Sequence, residues 1–263
     1  LRTLSLCRVE TMKVGLISSV ALRTPPLKYG GLEAVVHNLS KGLADLGHDV
    51  TLIASKDSKA PESAKLIETV EAWSELNPAQ MKHYTDTDGV EREWNGIKWF
   101  AHTYNGWRSQ EAVAYEKYKD LLEGFDVVGD HSWSKQAYQS KNEKVVGTCH
   151  SVAPYQKPPP RDFANFLGVS HGHSRNLSKV MKVPVRTCFN PVDVEAFPLE
   201  TVKTDRVLSL TRIMPQKGIH HFLNMIETLK VKADIAGDDS TLVPDQGYVN
   251  QVKQKCAQSA FIT

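Results

Sequence analysis

The sequence predicts an α/β fold: one complete doubly wound parallel-sheet domain, followed by the start of a second domain of the same kind. Two observations predict it. Apolar β-rich runs alternate with helical stretches from residue 13 to about residue 189, as in a parallel sheet covered on both faces. A composition break over residues 190–205 follows, and the same strand–loop–Gly–helix–strand grammar restarts at Arg206. The expected domains are residues 12–200 and 201–263, behind an extension over residues 1–11. That extension carries no initiator methionine, and Met12 reads as the natural start.

The first βαβ unit is the clearest. Lys13–Ser19 is a strand. A helix follows Gly30-Gly31, with Leu32, Val35, Val36, Leu39, Leu43 and Leu46 at spacings of three and four on one face. Gly47 stops it, and Asp49–Ala54 is the second strand. Residues 65–70 form a short strand. Residues 71–108 show weak periodicity and read as irregular or as an insertion. Residues 109–122 read as a helix, 126–129 and 144–148 as buried strands, 166–170 as a strand, 171–181 as a helix and 185–189 as a strand. Pro158-Pro159-Pro160 forces an extended loop. In the second domain, 206–211 and 232–236 are strands around a helix over 219–230, whose stripe of Ile219, Phe222, Leu223, Ile226 and Leu229 expects a fuller sheet to cover it.

Composition narrows the function. At 41% hydrophobic and 24% charged residues, the chain is an ordinary globular protein. A net charge of +2 is too small to argue for nucleic acid. Cys7, Cys149, Cys188 and Cys256 lack C-x-x-C spacing, so they read as buried free thiols of a reducing, cytoplasmic compartment. No apolar run approaches the ~20 residues of a membrane span. The histidine pairs His171/His173 and His220/His221 lack a surrounding carboxylate or cysteine set, so no metal site is expected.

Ligands of doubly wound sheets gather at the carboxyl ends of strands. Gly30-Gly31, His150 and Ser170 all fall just after predicted strands, so they are expected in one cleft. At Gly30-Gly31 a strand hands over to a helix whose free N–H groups and dipole favour an anion. Neither G-x-G-x-x-G nor G-x-x-x-x-G-K-[ST] is present. Glu33, in the first helical turn, either faces a ligand or only stabilises the helix start. Arg212 and Lys217 sit in the corresponding loop of the second unit and suit an anion. Cys149 and His150 are adjacent on a strand and face opposite sides, which excludes a nucleophile–base dyad.

Read in order, Tyr29-Gly30-Gly31-Leu32-Glu33, Leu46-Gly47-His48, Asp130-His131-Ser132-Trp133, Cys149-His150-Ser151, Gly168-Val169-Ser170, Asn190-Pro191-Val192-Asp193 with Phe197, Thr211-Arg212-Ile213 with Lys217-Gly218, and Ala236-Gly237-Asp238 resemble the GT-B glycosyltransferases of family 4, the retaining type. The resemblance implies a GT-B-like fold with an acceptor-side and a donor-side Rossmann-like domain. It implies sugar transfer from a nucleotide diphosphate-sugar to an acceptor hydroxyl, with retention and without a metal or other cofactor. It gives His150 a catalytic contact to the transferred sugar or the acceptor, Gly30, Gly31, Arg212 and Lys217 the donor diphosphate, and Glu33 and Ser170 the acceptor or sugar. The expected partners are the nucleotide-sugar and a sugar, lipid-linked or small-molecule acceptor. Nucleic acid is not expected, and peripheral membrane contact stays open. The chain departs from the family where Asn190-Pro191 replaces the usual Asn-Gly. It also ends at Thr263 before the family's acidic Gly- and Pro-rich motif, so the second domain is expected to be cut short. A catalytically incompetent fragment acting as a binding domain, and a nucleotide-sugar epimerase of the same fold, are the alternatives.

Overall fold

The computed structural model describes residues 10–27, 29–83, 91–94, 97–151, 165–197, 203–237 and 245–262. The Pro158–Pro160 loop, Asp238 and most of the extension over residues 1–11 lie outside them. Internal contacts divide the chain into two units: residues 1–91 with 100–194, and residues 92–99 with 195–263.

In chain order the elements of the first part are β1 (Lys13–Ile17), α1 (Gly31–Asp45), β2 (Asp49–Ala54), β3 (Lys65–Glu68), α2 (Pro78–His83), β4 (Glu91–Trp94), β5 (Ile97–Phe100), α3 (Ala101–Tyr118), β6 (Val127–Asp130), α4 (Gln136–Gln139), β7 (Val145–Cys149), β8 (Phe166–Gly168), α5 (His171–Met181) and β9 (Arg186–Thr187). Seven strands form one sheet in the order β3-β2-β1-β6-β7-β8-β9, and β4 and β5 pair separately. Every neighbouring pair in the large sheet is parallel. The chain winds outward from β1 through β2 to β3, then returns to β6 and winds the other way. The reversal lies between β1 and β6, where Ile17 pairs with Asp130. Sheets of this kind bind ligands at that point, outside the carboxyl ends of the strands.

Period-two alternation explains both buried faces. Val14, Leu16, Val50 and Leu52 pack against Leu32 and Val36 of α1. Ile17, Ile53, Val128 and Phe166 face the opposite core with Tyr118, Leu122, Leu177 and Met181. Leu46 departs from the expected helix face. It is the C-cap of α1 and largely exposed. Gly47, at φ +91°, ends the helix by donating to Ala44 O, and Leu43 O accepts from His48 N–H.

The segment over residues 71–108 is not irregular. It carries a 3-10 turn at Trp73–Glu75, then α2, the β4–β5 pair and the first two turns of α3. The Asn105-Gly106 dipeptide, a turn signal, lies inside the α3 helix and hides its start. The helix expected over 109–122 therefore begins at Ala101 and ends at Tyr118, followed by 3-10 turns over Lys119–Gly124.

The second unit contains β10 (Val207–Leu210), α6 (Ile219–Leu229), β11 (Ala233–Ala236) and α7 (Gln246–Gln258). The two strands are parallel, with Val207 opposite Ala233. Most of the α6 stripe is covered, although Leu229 is exposed and Phe222 only partly buried. Ile219, Leu223 and Ile226 are buried with Val249 and Val252 of α7, a helix the sequence reading missed. The Arg206 guanidinium holds Asp234 through two hydrogen bonds, 2.6 and 2.7 Å, and donates to Ala233 O at 2.9 Å. Gly237 packs its backbone on the end of β10: a Cβ there would stand 1.8 Å from Thr211 O. Gly237→Ala is expected to destabilise this unit by roughly 1–3 kcal/mol through forced backbone displacement. Hydrogen exchange of the β10 and β11 amides reads it, and unchanged protection would contradict the packing.

Candidate active site

The carboxyl edge of the large sheet collects the polar residues of the first unit. The loop after β1 is tied down first. Ser18 and Thr24 share a hydroxyl–hydroxyl bond of 2.7 Å, Thr24 N–H donates to Ser58 Oγ, and Lys59 N–H donates to Thr24 O. The loop then reaches Gly30, the N-cap of α1, at φ +156° and ψ +73°. L side chains rarely adopt that backbone, and a Cβ would meet Pro26 at 2.6 Å. As a glycine, this N-cap offers the helix no side-chain cap. Gly31 is exposed and has open space where a Cβ would be. Glu33 N–H meets its own carboxyl, so the exposed Gly31 is where a free helix N–H can meet an external acceptor.

Glu33 is buried beside Gly30, with Oε2 3.1 Å from the position of a Gly30 Cβ. Burial pushes its carboxyl up to about 7, and the Glu111 charge adds a smaller push. Hydrogen bonds from its own backbone N–H and from Ser19 oppose both. A carboxyl in that state both donates and accepts near neutral pH.

At the reversal between β1 and β6, Asp130 is fully buried. One oxygen accepts Ser132 N–H at 3.0 Å and Ser132 O–H at 2.6 Å, and the other accepts Tyr138 N–H at 3.0 Å. His131 N–H continues the sheet by donating to Ile17 O. The His131 ring folds back over Gly129, where a Cβ would lie 3.2 Å from Nε2. His131 Nδ1 is 2.9 Å from His150 Nε2. One of these nitrogens carries the hydrogen and the other accepts it. Burial holds His131 well below the usual imidazole range and holds His150 down to about 3, and the nearby Lys135 charge acts in the same direction on both. Both rings are neutral at physiological pH.

His150 follows β7, and Ser170 follows β8 as the N-cap of α5, accepting His173 N–H at 3.2 Å. His173 Nδ1 accepts Val169 N–H, so Nε2 carries the proton that meets Ser151 O at 2.8 Å. Cys149 points the other way, into the core, as strand alternation requires, whereas Cys188, expected to be buried, is exposed. Gly30, Gly31, Glu33, His150 and Ser170 therefore share one edge of one sheet. In the second unit, Arg212 lies after β10 and Lys217 in the 3-10 turn Pro215–Lys217, just before α6. Gly218, at φ +68°, is the N-cap of α6 and, like Gly30, gives it no side-chain cap.

Asp130, His131, Glu111 and Lys135 carry no assigned role in the sequence reading. Lys135 is buried with φ +55°, and its Nζ donates to Ser132 O. Burial lowers its ammonium, opposed by the charges of Asp130, Glu111 and Cys149. The motif Asp130-His131-Ser132-Trp133 pointed to His131, but its partner His150 is nineteen residues away and only the sheet brings them together. Among the described residues, no group of three or more His, Cys, Asp or Glu side chains is placed to hold a metal ion. No described helix is long and apolar enough to cross a membrane.

Comparison with known proteins agrees with this architecture. The solved structure of AviGT4, a glycosyltransferase involved in avilamycin A biosynthesis, superposes with a TM-score of 0.58 at 17% identity, covering 96% of this chain. This chain spans 63% of the length of AviGT4. The catalytic domain of starch synthase IV from Arabidopsis thaliana, bound to ADP and acarbose, gives 0.58 at 14% identity, covering 96% of this chain and 73% of that one. An alpha-glucosyltransferase in complex with UDP and a 13-mer DNA gives 0.51 at 11% identity, covering 93% and 60%. These likenesses establish the GT-B fold. No curated protein matches the sequence. The model of Glycosyltransferase Family 4 matches residues 29–196, which run from the loop before α1 past β9 and hold every site residue of the first unit. The chain belongs to Glycosyltransferase Family 4.

Proposed function

We propose that this protein transfers a sugar from a nucleoside diphosphate-sugar to an acceptor hydroxyl, with retention of anomeric configuration and without a metal ion. The observation that carries the reading is the uncapped, open start of α1 at Gly30-Gly31, on the same sheet edge as the neutral His131–His150 pair. In the reaction the bond between the anomeric carbon and the diphosphate oxygen breaks. The acceptor oxygen bonds that carbon on the same face, and its proton passes to the leaving diphosphate. Charge grows on the leaving diphosphate, and N–H groups of an uncapped helix start suit it. Arg212 and Lys217 give the second unit the same capacity, in the role a divalent cation fills elsewhere.

His150 is kept neutral by burial, so it serves as a hydrogen-bonding partner of a hydroxyl on the transferred sugar rather than as a cation. Glu33 and the remaining O–H of Ser170 suit an acceptor or sugar hydroxyl. ADP in one structural neighbour and UDP in another support a nucleoside diphosphate donor. The acceptor is a sugar, a lipid-linked or a small-molecule hydroxyl.

The test is transfer from a panel of UDP-, GDP-, ADP- and dTDP-sugars, with the product anomer read by proton NMR. Retention and full activity in the presence of EDTA are expected. Arg212→Ala and Lys217→Ala should each weaken nucleoside diphosphate binding about tenfold, the worth of one charge-assisted hydrogen bond. His150→Ala should lower turnover by a similar factor with diphosphate affinity unchanged. An inverted product, or loss of activity on chelation, would overturn the mechanism.

A further inference from the structure

Glu111 has no part in that chemistry, yet its carboxylate is buried on the same edge of the sheet. It projects from α3 at the turn over residues 130–135. One oxygen accepts Trp133 N–H at 3.0 Å and the other accepts Ser134 N–H at 2.6 Å. Asp130 grips the start of the same turn through Ser132. Between the two anions, Lys135 sits in the left-handed region, with its backbone N–H on Ser132 Oγ and its ammonium on Ser132 O. The turn has no helix or strand of its own to hold it. Two buried carboxylates and one buried ammonium replace that scaffold.

His131 opens this turn. Its backbone is fixed by Ile17 O, but its ring lies over Gly129 only if the following peptides keep their course. We infer that Glu111 is a positioning residue: by holding Trp133 N–H and Ser134 N–H it keeps His131 Nδ1 in hydrogen-bond reach of His150 Nε2, and so fixes which nitrogen of His150 is presented to the ligand. The functional consequence rests on the proposed role of His150. The geometric claim does not.

A glutamine at position 111 fills the same volume but has one acceptor oxygen for two N–H donors. Its NH2 group must face one of them. One end of the turn is released while the packing of α3 stays. Charged and polar groups facing Glu111 come from three elements: Lys135, Trp133 and Ser134 of the turn, Glu33 of α1, and Tyr118 of α3 itself. A hydrogen-bond readout is therefore cleaner than a titration.

The experiment uses the full chain labelled with 15N, without substrate. In the wild type, ring correlations of His131 and His150 should show one protonated and one accepting nitrogen joined by a hydrogen bond, and the amides of Trp133 and Ser134 should exchange as slowly as that of Tyr138. Glu111→Gln should abolish the inter-ring hydrogen bond and the protection of at least one of the two amides, while amides of β1, β2 and α1 keep theirs. Glu116→Gln, exposed on the same helix, should change neither. A folded Glu111→Gln protein that retains the His131–His150 bond would overturn the inference. If Glu111→Gln does not fold, fast exchange of the Trp133 and Ser134 amides in the wild type would overturn it, and slow exchange with the ring bond present would support it. Failure of nucleotide binding would count against the proposed function and leave this result standing.

Discussion

Replacing Asp130 by alanine is expected to destabilise the first unit by about 3–5 kcal/mol. The carboxylate is fully buried and accepts three hydrogen bonds, from Ser132 N–H, Ser132 O–H and Tyr138 N–H. Its loss leaves two buried amides without an acceptor, and each orphaned polar group costs roughly 1–3 kcal/mol. It also removes one anion facing the buried Lys135 ammonium, a strongly destabilising change in a buried network. Asparagine keeps one acceptor oxygen and should cost less. Urea unfolding measures the difference: the midpoint should fall with the slope unchanged. A loss below about 1 kcal/mol would mean that water replaces the carboxylate and that the turn is not built around it.

Glu33→Gln is expected to act in the opposite direction, and only above acid pH. The carboxyl of Glu33 is held up to about 7 in the folded protein, against an ordinary value of 4.5. Below pH 4.5 both states are protonated and the group contributes nothing. Between pH 4.5 and 7 the unfolded chain releases the proton more easily, so folding stability falls as pH rises. Above 7 the full penalty is present, about 3 kcal/mol for a displacement of this size. Glutamine removes the ionisation. It should stabilise the protein by about that amount at pH 8 and leave it nearly unchanged at pH 4. His131 and His150, neutral when folded, lower stability as pH falls below 6.5, but they do so in both proteins and cancel in the difference. Equal effects of the substitution at pH 4 and pH 8 would contradict the burial argument. The same substitution should impair sugar transfer, because a buried carboxyl kept at such a cost beside Gly30 is a functional feature rather than a stabilising one.

Much of the sheet was legible because its signals are local. Residues 49–54 and 171–181 have the expected bounds, since β-rich runs and 3.6-residue spacing depend on near neighbours. Other bounds shrank: the run over 185–189 pairs only at Arg186–Thr187. The start of α3 and the whole of α7 were not legible. α3 carries a turn dipeptide inside its helix, and α7 packs through Tyr248, Val249, Val252 and Cys256, set among polar residues and hard to read without the α6 face they cover. The site divides in the same way. Gly30, Gly31, His150 and Ser170 were placed at the sheet edge by their positions after strands, and Glu33 by its position in the first turn of α1. The Glu111 contacts to Trp133 and Ser134, and the His131–His150 bond, join residues 19 to 23 positions apart through tertiary structure, and no spacing rule reports them.

The most direct test of the central claim is a titration of the 15N-labelled chain with UDP, GDP and ADP, each without added metal, followed by amide chemical shifts. Saturable, millimolar binding of at least one of them is expected, with shifts at Gly30, Gly31 and Leu32 of the first unit or at Arg212 and Lys217 of the second. Glucose 1-phosphate or inorganic phosphate should move the same glycines more weakly. Shifts absent from both loops at saturating nucleotide, or confined to residues off the carboxyl edge of the sheet, would contradict it.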